Sequence, residues 1–169
     1  MSLLIPTLMR ERITDITPED LRSMGAVGVL LDVDNTLTTH YNPDLPEDIA
    51  VWLAAMEAEG FRFTLVSNAK RRRVEPFAAK LGMSCTWLAG KPLPFGYWKA
   101  ARRLGLSRKE CAAVGDQIFT DTLGARLAGM RCIQLSPIEL EKHKPFLMFK
   151  RRREAKILRR LRRKKEDKT

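Results

Sequence analysis

Val27-Gly28-Val29-Leu30-Leu31-Asp32-Val33-Asp34-Asn35-Thr36-Leu37 is an apolar run that stops at two carboxylates, an amide and a hydroxyl. A run of Val and Leu with no polar alternation suits a strand buried on both faces, as in a parallel sheet between helices. On an extended segment Asp32 and Asp34 point the same way, roughly 6–7 Å apart. Repulsion and desolvation oppose two like charges at the end of a buried strand unless a cation or a proton intervenes. Taken alone, the stretch also reads as a polar turn with Asp34 as a helix N-cap.

Outward from this run, residues 61–67, 84–88, 111–115 and 131–135 are further apolar stretches that alternate with helical patterns. Residues 46–59 place Ile49, Trp52, Leu53 and Met56 at helical spacing, and residues 70–81, 95–104 and 121–128 each run up to a glycine. Residues 107–109 read as a short turn, and Thr17-Pro18-Glu19-Asp20 as the cap and first turn of a short helix ahead of the first strand. Five strands alternating with helices predict a three-layer, Rossmann-like α/β fold with a central parallel sheet and right-handed crossovers. Ligands of such sheets sit beyond the carboxyl ends of the strands, where the strand order reverses.

Three further polar clusters fall at those ends: Ser67-Asn68, Gly90-Lys91-Pro92 and Gly115-Asp116-Gln117-Ile118-Phe119-Thr120-Asp121. Each has an ordinary reading by itself, as turn chemistry, a solvated loop lysine and a helix-cap carboxylate. Together with Asp32 and Asp34 they supply three or four carboxylates, one lysine and a Ser/Thr set to a single crevice. Hard oxygen ligands in that number suit Mg²⁺ paired with a substrate phosphate. The sequence holds no His/Cys ligand set for zinc, no glycine-rich Walker loop, and no Ser-His-Asp pattern around His40 or His143.

Charge divides the chain into two parts. Residues 142–169 carry 14 of the 31 Lys and Arg but 3 of the 20 Asp and Glu, so they account for the whole +11 and leave residues 1–141 neutral. The expected organisation is a domain over 1–141 with a short N-terminal extension, and a basic amphipathic tail over 142–169. Cys85, Cys111 and Cys132 form no C-x-x-C pair and read as reduced thiols in apolar surroundings, which suits a reducing cytosol. No run approaches the ~20 apolar residues of a membrane span. Residues 3–9 lack the basic start and small-residue cleavage site of a signal peptide. They read as a core strap or a membrane contact.

Asp32-x-Asp34-x-Thr36, Ser67-Asn68, Lys91 and Gly115-Asp116…Asp121 match, in order, the four motifs of the haloacid dehalogenase (HAD) superfamily of phosphatases, which the sequence resembles over about residues 25–135. Residues 16–21, Asp34-Asn35-Thr36-Leu37 and Gly115-Asp116-Gln117 resemble the YqeG family of subclass IIIA, itself similar to the mitochondrial phosphatidylglycerophosphatases. The resemblance implies that Asp32 is the nucleophile, forming an aspartyl phosphate. It implies that Asp34 is the general acid and base, with its backbone carbonyl on Mg²⁺ and Thr36 orienting it. Ser67, Asn68 and Lys91 would hold phosphoryl oxygens, with Thr36 counted in the same set. Asp116 would ligate Mg²⁺, with Asp121 close behind.

The segments between motifs, 37–66 and 69–90, are each filled by about one helix and one strand, which leaves no room for a cap domain. An open site favours a large substrate. The basic tail suits an anionic membrane surface: on a helix, Phe146, Leu147, Ile157, Leu158 and Leu161 share one side, interrupted by Lys150 and Glu154. Lys70-Arg71-Arg72-Arg73 is a second basic run, placed to meet an anionic head group. The expected function is Mg²⁺-dependent hydrolysis of a phosphomonoester, with phosphatidylglycerophosphate converted to phosphatidylglycerol by a cytoplasmic enzyme peripheral to the membrane. The rival readings are a phosphatase of nucleic-acid or protein phosphates, and a non-catalytic module that binds RNA or the ribosome.

Overall fold

In a computed structural model of the chain, which describes residues 3–39, 42, 44–139 and 145–166, six strands form one parallel sheet. They are β1 (Leu8–Arg10), β2 (Gly28–Leu31), β3 (Arg62–Val66), β4 (Ser84–Thr86), β5 (Cys111–Gly115) and β6 (Arg131–Leu135). Their spatial order is β1-β6-β5-β2-β3-β4, every pair parallel. After β2 the chain moves outward through β3 and β4, then crosses to β5 on the other side. The order therefore reverses between β2 and β5, which makes the crevice beyond their carboxyl ends the binding position.

The helices are α1 (Pro18–Ser23), α2 (Glu47–Ala58), α3 (Arg71–Lys80), α4 (Phe95–Arg103), α5 (Leu123–Leu127) and α6 (Pro145–Glu166). Side chains alternate across the sheet, so Val29 and Leu31 join one core and Leu30 the other. The first core packs Ile49, Trp52 and Met56 of α2 and Val74 and Phe77 of α3 on the sheet. The second uses Tyr97, Ala100 and Ala101 of α4 and Ala125 of α5, the small alanines letting these helices lie close. With both faces covered, β2 and β5 have no exposed residue, which explains their unbroken apolar sequence.

The capping sequence behaves as expected: the Thr17 hydroxyl accepts from the Asp20 amide at 3.2 Å and the Asp20 carboxylate from the Thr17 amide at 3.1 Å. Two elements differ from the sequence reading. Residues 3–9 contribute to a sixth strand, β1, which pairs with β6 from Leu8↔Ile133 to Arg10↔Leu135. A three-residue edge strand has no period to detect. The helix expected over 121–128 opens instead with a π-helical turn, Ile118–Thr122, before α5. Cys111 and Cys132 are buried and Cys85 half-buried, all as free thiols. His40 and His143 lie outside the described residues.

Candidate active site

Asp32 follows β2, Ser67 follows β3, Lys91 lies in the loop after β4, and Asp116 follows β5. The parallel register brings all four to the same end of the sheet. Gly115 then allows a close approach that no other residue would. A Cβ there would stand 2.4 Å from Cγ of Asp121, so the missing side chain is what lets Asp121 fold back over the end of β5. The π-helical turn completes that return. The Asp121 amide donates to the Gln117 carbonyl at 2.7 Å, and its Oδ2 accepts from the Gln117 amide at 3.1 Å.

Lys91 is the centre of the cluster. Its Nζ donates to Oδ1 of Asp32 at 2.5 Å and to Oδ1 of Asp121 at 2.6 Å, with all three side chains buried. Burial opposes its charge, but Asp121 and Asp32 outweigh that and hold the lysine well above its ordinary range. Burial also pushes Asp32 up to about 7, against the pull of Lys91 and with Asp121 adding to the rise. The same cause takes Asp116 to about 8, against the pull of Arg151.

Oxygen atoms of Asp32, Asp116 and Asp121 lie within 4.8 Å of one another. Oδ1 of Asp116 is buried and has no hydrogen-bond partner among the described residues. An orphaned carboxylate oxygen inside an all-oxygen set fits a hard divalent cation, whose charge would favour the ionised forms that burial disfavours.

The other expected site residues are placed as follows. The Asp34 carboxylate stands apart from the three, at 3.1 Å from Nη2 of Arg73 on α3. It is half-buried, and Arg73 also donates to the carbonyls of Thr39 and Asn42. Ser67 is buried, and its hydroxyl accepts from the Ala69 amide at 3.1 Å. The Asn68 side chain is engaged with the backbone of Lys91, donating to its carbonyl at 3.0 Å and accepting from its amide at 2.8 Å. It therefore fixes the loop that delivers the lysine. Thr36 is buried with its hydroxyl unpartnered among the described residues, and it lines a cleft of about 320 Å³ with Ile13, Ile49 and Ser136.

Helix α6 also reaches the site, a contact absent from the sequence reading. Arg151 pairs with Asp116, Lys150 Nζ donates to Oε1 of Gln117 at 2.6 Å, and Glu154 accepts from the Phe119 amide at 3.0 Å. The one available signal was the pair Lys150 and Glu154, which break an otherwise apolar side of the helix because they face the loop after β5.

A buried carboxylate with a lysine against it, beside a three-oxygen cation site at the switch point of a parallel sheet, is the equipment of a phosphoryl-transfer hydrolase. Residues 44–129 match the family of haloacid dehalogenase-like hydrolases, a span that includes Ser67, Asn68, Lys91, Asp116 and Asp121 and begins beyond Asp32. The chain belongs to that family. A protein of Bacillus subtilis (strain 168) named "Probable phosphatase YqeG" is 33% identical over 134 residues, 79% of this chain and 78% of that one.

Solved structures share the fold. A protein of Listeria monocytogenes serotype 4b aligns with a TM-score of 0.56 at 18% identity, over 69% of this chain and 84% of that chain. A protein of Xanthomonas campestris aligns at 0.54 and 19% identity, over 73% and 72%.

Proposed function

We propose that this chain, a phosphoric monoester hydrolase of the haloacid dehalogenase family, uses Asp32 as its nucleophile on phosphatidylglycerophosphate at an anionic membrane surface. The observation that carries the chemistry is the Lys91 bridge between Asp32 and Asp121. A phosphate dianion repels a carboxylate nucleophile, and the lysine offsets that charge where the two must meet. Mg²⁺ held by Asp32, Asp116, Asp121 and the backbone carbonyl of Asp34 would stabilise the charge on the transferring phosphoryl group.

The chain's own residues then divide the work. An Asp32 oxygen attacks phosphorus and forms an aspartyl phosphate as the ester oxygen departs. Asp34, two residues on from the nucleophile, gives that oxygen a proton. It next takes a proton from water, whose oxygen attacks phosphorus and restores the Asp32 carboxylate. Lys91 stays with the phosphoryl oxygens through both steps, joined by Ser67. Asn68 holds Lys91 in place.

Two features support the lipid. Among the described residues, 37–66 hold α2 and β3 and 69–90 hold α3 and β4, a helix and a strand each, which favours a site that a large substrate can reach. Beside the loop after β5, Leu4, Phe119, Phe149 and Ile157 line a groove of about 840 Å³ together with Arg152, Arg153, Lys156 and Arg159. Apolar and cationic side chains in one groove suit an acyl chain and its phosphate head group. Among the described residues, no helix is long and apolar enough to cross a membrane.

The test is phosphate release by wild type and Asp32→Asn, with Mg²⁺ and with chelator, from phosphatidylglycerophosphate in anionic vesicles and from p-nitrophenyl phosphate. Release from the lipid that needs both Asp32 and Mg²⁺ is the expected result. Release from the soluble ester alone would retain the chemistry and reject the lipid. Replacing Arg152, Arg153, Lys156 and Arg159 together by Gln should slow the vesicle reaction and leave the soluble one unchanged.

A further inference from the structure

Arg151 is the only residue of α6 with a charged side chain seated on one of the three clustered aspartates among the described contacts, and its seat is constructed from several directions. Nη2 donates to Oδ2 of Asp116, while Nη1 donates to the backbone carbonyl of the same residue at 3.0 Å. The guanidinium thus holds Asp116 at two points, one on its side chain and one on its main chain. Glu154, one turn further along α6, lies 3.6 Å from Nη1 through one oxygen and accepts from the Phe119 amide at 3.0 Å through the other. Arg151 and Glu154 are 8% and 2% exposed, so neither interaction is diluted by solvent.

The consequence lies in which oxygen remains. With Oδ2 of Asp116 committed to Arg151, Oδ1 is the one left over, and it is the buried atom with no hydrogen-bond partner among the described residues. We infer that Arg151 is a positioning residue for the cation site: from the C-terminal helix it fixes the Asp116 carboxylate so that its second oxygen is presented to a divalent metal. This rests on the reading of Asp32, Asp116 and Asp121 as that metal's ligands.

A planar fork suits the task because it reaches a carboxylate oxygen and a carbonyl oxygen at once, which a single ammonium does not. The charges point the same way. Asp32, Asp116, Asp121 and Glu154 face Lys91, Arg151 and the neighbouring Lys150, so four acidic groups meet three basic ones and the cluster keeps a place for a cation when ionised. Residues that orient a metal ligand from outside typically change affinity by about tenfold to a hundredfold when lost.

The experiment is Mn²⁺ binding, followed by the loss of the free-ion electron paramagnetic resonance signal, in wild type, Arg151→Met, Arg151→Lys and Asp116→Asn. Thermal unfolding is recorded for each. Arg151→Met should bind Mn²⁺ at least about tenfold more weakly, and Arg151→Lys should fall between it and wild type. Should Arg151→Met not fold, Arg151→Lys carries the test, with a loss of severalfold expected. Unchanged affinity in the folded variants would overturn the inference. Tighter binding would overturn it too, because it would make Arg151 a competitor of the metal. A wild type as silent as Asp116→Asn would remove the metal site itself, and with it this inference. That outcome is distinct from a wild type that binds while the Arg151 variants match it.

Discussion

Nζ of Lys91 lies 2.5 Å from Oδ1 of Asp32, two residues 59 apart in sequence whose side chains are both buried. On the proposed mechanism the lysine would serve the resting carboxylate and the incoming phosphate in turn, so its charge would be required throughout the reaction. Lys91→Met should lower kcat on p-nitrophenyl phosphate by about 10²–10³-fold, the usual cost of removing one such stabilising group. Steady-state kinetics on protein verified as folded by circular dichroism would check this. An activity within a few-fold of wild type would contradict the role given to Lys91.

The approach of Asp121 to Gly115 is equally specific. A Cβ at residue 115 would come within 2.4 Å of Cγ and 2.6 Å of Oδ2 of Asp121. Gly115→Ala should therefore displace the carboxylate from Lys91 and reduce kcat/KM by about tenfold to a hundredfold. Its stability should fall by about 1–3 kcal/mol, as for other overpacked sites. A parallel measurement of kcat/KM and urea denaturation separates the two effects.

Burial raises Asp32 to about 7 and Asp116 to about 8, so in the metal-free protein the folded state holds protons more tightly than the unfolded one. Stability from such groups is fully present below the ordinary carboxylate value of about 4 and is lost as pH rises through 7 to 8. Without divalent cation, the melting temperature should fall between about pH 5 and about pH 8.5. Mg²⁺ should raise it more at the upper end, where protons no longer compete for the carboxylates. Scanning fluorimetry in chelator and in excess Mg²⁺ gives both curves, and an equal Mg²⁺ effect at the two ends would refute the linkage.

Trp52 offers a prediction remote from the chemistry. Its indole Nε1 donates to the Ile16 carbonyl at 2.9 Å inside the core, joining α2 to the segment before α1. Trp52→Phe keeps most of the apolar volume but leaves that carbonyl unpaired, at a cost of about 1–3 kcal/mol. Chemical denaturation should register the loss while the rate on a soluble ester stays unchanged.

The sequence was most informative where the relevant physics is local. A strand buried on both faces has to be apolar throughout, and polar groups at its end have to answer to something, so β2, β5 and the clusters beyond them can be recognised residue by residue. The parallel order then makes Asp32, Lys91, Asp116 and Asp121 neighbours. What could not be read depends on distant partners. Arg151 is one of fourteen basic residues in 142–169, and nothing in the run distinguishes it until Asp116, 35 positions earlier, is seen against it. Thr36 lines a cleft with Ile13, Ile49 and Ser136, residues from separate parts of the chain, a grouping that spacing alone does not reveal. Asn68 donates to the Lys91 carbonyl and accepts from the Lys91 amide, a contact between residues 23 apart that residue type alone does not announce.

The wide turn over Ile118–Thr122 has a consequence for which changes this loop can accept. Each residue of an α-helix advances the chain by about 100° around its axis. Deleting one residue between Gln117 and Asp121 would shorten the span that the Asp121 amide closes on the Gln117 carbonyl and would swing the aspartate away from Lys91 by about that angle. An insertion would swing it the other way. Replacing Phe119 or Thr120 changes a side chain, whereas changing the count rotates the carboxylate. The loop should therefore be permissive in composition and strict in length.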